Sequence, residues 1–395
     1  MSKCILEKKF LINNRNINCK VLGDPMSINE DSIYVLEING GPGQNMNTRI
    51  YKYLQNYSND IDNMIWIIFD NLGCGESDIA QFPDQEYTPE NFTNIAVSVV
   101  ECIFNELELT HMNLKIEGGS FGGTIALNIP SHRPQWTNID SPIHLQSIFA
   151  FIAPIGLKDC MDIEFTREIY ANNPNLSSYV NAINKLYDGT ITTRDQYITE
   201  ILVPLSPTYG DSYNSLLMKS CLSIIKLYPN SFRYPLNSLK NINYCHAFAE
   251  KAYDFLYNFS FDVTCYIFKN KWNNFELEEK FTDNPELVNV YNKIAIFAVY
   301  GKIDLCTGGD KTLIRLAKLL PNLGYYLHSG KHHDNYDKVL PLMINFLTGD
   351  IIKFCKSCID MKIIDNCKIS KSFVDSYNYS AKSVRNKQTD TEHNC

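Results

Sequence analysis

The sequence predicts an α/β fold: a mostly parallel central sheet, covered on both faces, with a helical insertion. Three features predict it. Near-continuous apolar runs such as Met64-Ile65-Trp66-Ile67-Ile68-Phe69 read as strands buried on both sides. Amphipathic stretches such as Pro89 to Leu107 fall between them, with Ile95, Val99, Val100, Ile103 and Phe104 on one face. Strand exits are punctuated by glycine, most densely at Gly40-Gly41-Pro42-Gly43 and Gly118-Gly119-Ser120-Phe121-Gly122-Gly123.

In order along the chain, Lys9 to Ile12 and Ile17 to Leu22 predict two antiparallel strands at a sheet edge. Ile33 to Ile38 is a buried strand that empties into Asn39-Gly40-Gly41-Pro42-Gly43, ahead of a helix at Thr48 to Leu54. Glycines at 40, 41 and 43 leave backbone N–H groups uncovered by side chains, which is what an anion or oxyanion site requires. Met64 to Asp70 follows as a strand, and Asp70 at its end reads as an acceptor for the turn backbone. The helix from Pro89 returns the chain to the strand Asn113 to Ile116.

That strand runs into Gly118-Gly119-Ser120-Phe121-Gly122, a G-x-S-x-G turn, and then into a helix from Gly122 to Asn128. A serine in such a turn sits on a sharp strand-to-helix corner, at the positive end of the following helix. The N–H of Phe121 is then placed where a tetrahedral intermediate carries its negative oxygen.

Leu145 to Phe151 is the next strand. From about 155 to 290 the strand-helix rhythm breaks into helices such as Ser177 to Leu186 and Tyr213 to Leu227, the natural place for a cap over the carboxyl edge of the sheet. The rhythm resumes with the strand Ile294 to Tyr300, ending at Gly301-Lys302-Ile303-Asp304. The helix Lys311 to Leu320, the strand Leu323 to Leu327 and a closing helix from Tyr336 to Leu347 complete the unit. The expected organisation is a core in two parts, 1–154 and 291–350, a helical cap at 155–290, and a C-terminal extension at 351–395 that lies outside the core and is partly disordered.

Bulk composition narrows the function. A net charge of -8 without basic clusters argues against nucleic acid as a partner. The first residues, Met1 to Lys9, lack an apolar signal region, and no apolar run reaches membrane-spanning length, so a cytoplasmic protein is expected. Thirteen cysteines without secretory targeting favour thiols in a reducing compartment. Cys355-Lys356-Ser357-Cys358 and Cys367 supply three sulfurs where a structural zinc needs four ligands, and only Cys395 or His393 in the tail could complete it; they read as plain thiols, with no metal and no cofactor. The expected partner is a small-molecule or short-peptide substrate, and the oligomeric state is left open.

Three strand ends therefore carry Ser120, Asp304 and His332, in that chain order. In a parallel sheet their carboxyl ends share one edge, so residues nearly two hundred apart meet there. The chemistry follows: His332 takes the proton of the Ser120 hydroxyl on one ring nitrogen while Asp304 holds the other. His333 competes with His332, and Asp162 or Asp310 with Asp304; His328 reads as a packing residue and His111 lies at the opposite edge.

The motifs at 39–43, 70–77 and 118–123 together resemble the proline iminopeptidase-like branch of the α/β-hydrolases, over roughly residues 10 to 350. The resemblance implies an α/β-hydrolase fold with a mostly parallel central sheet and an inserted helical cap, triad roles for Ser120, Asp304 and His332, and an oxyanion hole from the N–H groups of Gly41 and Phe121, with Gly40 beside the substrate. The implied activity is a serine hydrolase, an aminopeptidase that releases an N-terminal proline or other apolar residue from short peptides. Departures bear on substrate: Asn39 replaces a histidine, Asn71-Leu72 replace Gln-Arg, and Tyr244-Cys245-His246-Ala247-Phe248 lacks the glutamate that precedes the family's cap motif. Glu200 and Glu250 are the cap carboxylates available to an amino terminus, although a solvated helix face explains each more cheaply. A carboxylesterase or amidase, and a non-catalytic binding protein of the same fold, are the alternatives.

Overall fold

A computed structural model describes residues 3–41, 43–44, 46, 64–156, 159–160, 162–193, 196–202, 204–205, 263–264, 266–267, 277–332, 336–360 and 367–379. Among these, nine strands form one sheet in the order β1-β2-β4-β3-β5-β6-β7-β8-β9. They are β1 (Lys3–Ile12), β2 (Arg15–Gly23), β3 (Ile33–Ile38), β4 (Met64–Phe69), β5 (Met112–Gly119), β6 (Ile143–Phe151), β7 (Ala295–Gly301), β8 (Gly324–His328) and β9 (Cys367–Lys368). Neighbours from β4 to β8 pair in parallel. The outer pairings, β1 with β2, β2 with β4 and β8 with β9, are antiparallel. The β1–β2 hairpin turns through Asn13 and Asn14, both in the left-handed region, which matches the twist of the strands it joins.

Strand alternation assigns the faces. Leu36, Ile67, Ile116 and Ile148 point to one side, where they meet α1 (Pro89–Glu106), α2 (Phe121–His132) and α7 (Gly309–Leu319) through residues such as Val99, Ile125 and Leu316. Val35, Trp66, Phe149 and Phe297 point to the other, against α8 (Tyr336–Thr348). Covering both faces explains why every residue of β4, β5, β6 and β7 is buried, with no solvent face to alternate. Thr88 caps α1 by accepting from the N–H of Asn91, with Pro89 at the first helical position. Pro130 lies inside α2, which continues to His132, past the predicted end at Asn128; its missing N–H removes the helical donor to the Ala126 carbonyl in the last turns of the helix.

The insertion between β6 and β7 is helical in its described parts: α3 (Ile163–Ile169), α4 (Leu176–Asp188), a π-helical turn at Tyr197–Leu202, α5 (Leu277–Asp283) and α6 (Leu287–Tyr291). Its residues 263–264 and 266–267 come back over the exit of β4. A Cβ on Gly73 would lie 2.5 Å from Val263 Cγ2, and the Tyr266 ring meets Tyr87 edge-on at 5.6 Å. The chain rejoins the core before the boundary expected at 290: Leu277, Phe281, Leu287 and Tyr291 are buried with the α1–α2 face. The expected helices at Thr48 to Leu54 and Tyr213 to Leu227 lie outside the described residues.

The chain does not leave the core at 351. Helix α9 (Ile351–Asp360) and a helix at 371–379 pack on the α8 face, where Phe354 and Phe373 are fully buried beside Phe297 and Phe346, and β9 pairs with β8 at the sheet edge. This corrects the reading of 351 onward as an extension; its apolar residues are few, but Phe354 with Cys358 and Phe373 with Tyr377 sit four apart on one helical face. Residues 380–395 lie outside the described chain. Among the described residues no helix is long and apolar enough to cross a membrane.

Candidate active site

Ser120 lies between β5 and α2 with φ 52° and ψ -123°, a backbone conformation that non-glycine residues seldom adopt. Its neighbours hold it there. The N–H of Ser120 donates to Phe151 O at 2.7 Å, and Thr124 Oγ1 donates to Pro154 O at 2.6 Å, tying the start of α2 to the end of β6. The glycines admit the close packing this corner needs: a Cβ on Gly118 would stand 2.5 Å from the Gly122 carbonyl oxygen. Phe121 opens α2, its ring edge-on to Phe92 at 5.4 Å.

The loop after β3 passes directly against this turn. A Cβ built on Gly40 would lie 3.1 Å from Gly119 O and 3.6 Å from Ser120 Cβ, and Gly41 turns the backbone at φ +127°. Asn39, buried, donates through Nδ2 to Phe69 O at 3.2 Å, joining the exits of β3 and β4. Asp70 completes the bracing. Its carboxylate accepts from Met46 N at 2.5 Å, Glu76 N at 3.0 Å and Asn18 Nδ2 on β2 at 3.0 Å, so its oxygens are committed to β2 and the adjoining loops.

At the same edge, Asp304 follows β7 and His332 follows β8. Gly301 lets the two exits touch: a Cβ there would be 2.5 Å from Gly330 O, and Lys302 N donates to His328 O at 2.7 Å. Asp304 is fully buried and His332 is 3% exposed, with His332 Nδ1 2.8 Å from Asp304 Oδ2. A carboxylate only accepts, so this contact puts the proton on Nδ1 and leaves Nε2 as the acceptor. Asp304 takes two further bonds, from Cys306 N to Oδ1 at 2.9 Å and from Thr307 Oγ1 to Oδ2 at 2.6 Å. Below it, burial and the nearby charges of Asp159 and Asp304 push the Tyr300 hydroxyl well above its ordinary range, which keeps it a donor to Ala153 O.

The other expected residues separate. Asp162 caps α3, accepting from Phe165 N at 2.9 Å, and Asp310 sits in the first turn of α7. His328 accepts from Gly330 N through Nδ1 at 3.1 Å, and His111 sits ahead of β5, 3.3 Å from Asn113 Oδ1. Glu200 pairs with Lys185 at 2.6 Å on the neighbouring helix α4. His333 and Glu250 lie outside the described residues. Thr307 and the N–H of Cys306 were not singled out from the sequence, although a threonine three residues after an aspartate at a strand exit is the local pattern of a side-chain-braced turn.

The chain matches no family model, and no curated protein matches it in sequence. Its structure is similar to that of VinJ, with a TM-score of 0.53 at 15% identity over 87% of this chain and 99% of that one. It is also similar to the 2-hydroxy-6-oxo-6-phenylhexa-2,4-dienoate hydrolase of Rhodococcus sp. strain RHA1, with a TM-score of 0.50 at 15% identity over the same two shares. The chain has the α/β-hydrolase fold. A proline iminopeptidase of Mycobacterium smegmatis aligns with a TM-score of 0.49 at 15% identity, over 87% of this chain and 97% of that one. Such identities establish the α/β-hydrolase architecture and leave the branch to the site itself. In the α/β-hydrolase sheet the G-x-S-x-G corner stands at the carboxyl edge with acid and histidine following in chain order, and this chain carries Ser120, Asp304 and His332 in that order there.

Proposed function

We propose that this chain is a serine hydrolase that works through an acyl-enzyme. The observation that carries the reading is the buried 2.8 Å contact between His332 Nδ1 and Asp304 Oδ2, on the sheet edge that also presents the Ser120 corner. His332 Nε2 takes the Ser120 proton as the hydroxyl attacks an acyl carbon, Asp304 stabilises the imidazolium, and the N–H groups of Gly41 and Phe121 receive the oxyanion. His332 then returns the proton to the leaving group, and the same histidine activates the water that frees Ser120.

Its specific activity, on this reading, is that of a proline iminopeptidase-like aminopeptidase in the cytoplasm, removing an N-terminal proline or other apolar residue from short peptides. The glycine loop at 39–43 and the nucleophile turn at 118–123 support it. One observation favours the carboxylesterase or amidase alternative: Glu200, a candidate for gripping a substrate ammonium, already pairs with Lys185. The test is a parallel assay on proline-β-naphthylamide, its N-acetylated counterpart and a short-chain p-nitrophenyl ester, with Ser120→Ala as blank. Preference for the free amine supports the aminopeptidase; ester turnover without it supports the esterase; rates equal to the Ser120→Ala blank on every acyl substrate sink the serine hydrolase and leave the binding protein.

A further inference from the structure

Asp304, Cys306 and His332 offer more than a hydrogen-bonded acid and base. A carboxylate oxygen, the thiol sulfur and a ring nitrogen of these three residues lie within 4.8 Å of one another. All three side chains are buried, at 0%, 7% and 3% exposure. We propose that they form a site for a thiophilic divalent cation such as Zn²⁺, and that filling it switches the active site off.

The donor set decides the ion. Sulfur, nitrogen and one carboxylate suit zinc and its soft neighbours, whereas calcium and magnesium require six or more oxygens in a wider cage. Zinc with bonds of about 2.0–2.3 Å holds its donors roughly 3.3–3.7 Å apart in a tetrahedron, so side-chain movement of order 1 Å closes the site. Three protein ligands leave a fourth position for water. Charge also balances: a dication with one carboxylate and one thiolate is neutral, the condition under which ions are buried at least cost. The carboxylate is already aimed by the N–H of Cys306 and the hydroxyl of Thr307, the outer bonds that orient a metal ligand.

The switch follows from proton bookkeeping. On binding, the Cys306 thiol ionises and releases one proton to solvent. The ring nitrogen that faces Asp304 is Nδ1; coordination uses its lone pair, and its proton passes to Nε2. No electron is transferred. His332 then carries a proton on the nitrogen that must accept one from Ser120, and Asp304 is engaged with the metal. The inhibitory half of this inference rests on the proposed role of His332; the binding half does not.

The experiment titrates the reduced full chain with Co²⁺ and reads the near-ultraviolet thiolate-to-cobalt band, for the natural sequence and for Cys306→Ser. The same proteins are assayed for ester or amide hydrolysis against Zn²⁺, each relative to its own metal-free rate. The expected result is a band that Cys306→Ser loses, and a half-inhibiting Zn²⁺ concentration that rises by about tenfold or more. Because thirteen cysteines are present, a third measurement uses the natural sequence alone: bound Zn²⁺ should slow alkylation of Cys306, followed by peptide mass, more than that of the other cysteines. This arm stands even where Cys306→Ser does not fold. A band undiminished in Cys306→Ser, equal inhibition of both proteins, or unprotected Cys306 overturns the proposal. A Cys306-dependent band in a chain that hydrolyses no ester or amide upholds the site and sinks the hydrolase reading instead.

Discussion

Lys115 Nζ, buried in the middle of the sheet on β5, donates to the carbonyl oxygen of Leu347 at 2.8 Å, where α8 approaches its end. Desolvation brings the amine down to about 7. A lysine in the unfolded chain titrates near ~10.4, so between about pH 7 and about pH 10 the unfolded state holds the extra proton and stability rises with pH. Below about 7 this group adds no slope. Against Lys115→Met, the natural protein should gain roughly 1–3 kcal/mol between about pH 7.5 and about pH 9.5 in urea unfolding. Parallel curves for the two proteins would show that the buried amine is not the source.

Gly122 fixes how closely α2 approaches β3. A Cβ there would lie 2.0 Å from Ile38 O and 2.7 Å from Asn39 O, both backbone atoms that have no rotamer to yield. Gly122→Ala should cost roughly 1–3 kcal/mol and lower the thermal midpoint by a few degrees, with hydrolysis falling further because Ser120 and the Gly40 loop share that contact. An unshifted midpoint would mean that the helix slides freely.

Thr307 donates to the same Asp304 oxygen that receives His332. Thr307→Val keeps the shape and removes one of three bonds to a fully buried carboxylate, at a cost of about 1.5–3 kcal/mol. The expected readout is a fall of about tenfold or more in kcat with KM little changed, restored by Thr307→Ser. A KM effect alone would place Thr307 in substrate binding.

Phe373 sits within an aromatic group whose ring centroids are 6.0 Å from Phe297, 6.3 Å from Phe346 and 6.2 Å from Phe354. Phe373→Ala opens a cavity there and should cost about 3–5 kcal/mol. Chemical unfolding measures it. A loss under about 1 kcal/mol would mean that the segment at 371–379 is an ornament on a core that is complete without it.

Much of this architecture is legible in the residues because the strands are short apolar runs and the glycines mark their exits. Met64 to Phe69 and Ala295 to Gly301 can hardly be anything but covered strands. The edge that gathers Ser120, Asp304 and His332 follows from parallel pairing alone. What escaped reading is tertiary. Nothing local says that Lys115 would be buried, since its neighbours on β5 are equally compatible with an exposed face. Nor does a lysine-rich sequence around Phe354 announce a buried ring; one ring on α9 and two on the helix at 371–379 suffice when the sheet supplies the rest of the cavity wall. Thr307 and Cys306 were hidden for a different reason: their importance lies in bonds to Asp304, and only the folded turn brings those atoms together.

The docking of α9, β9 and the helix at 371–379 against β7 and β8 also sets an order of events during synthesis. The half of the sheet bearing Ser120 and the Gly40 loop has α1 and α2, which cover one of its faces, within the first 132 residues, while its other face waits for α8. The half bearing Asp304 and His332 closes its aromatic layer only when Phe373 and Tyr377 have left the ribosome. On the proposed roles of Ser120, Asp304 and His332, hydrolysis by the growing chain therefore waits until the helix at 371–379 has been translated.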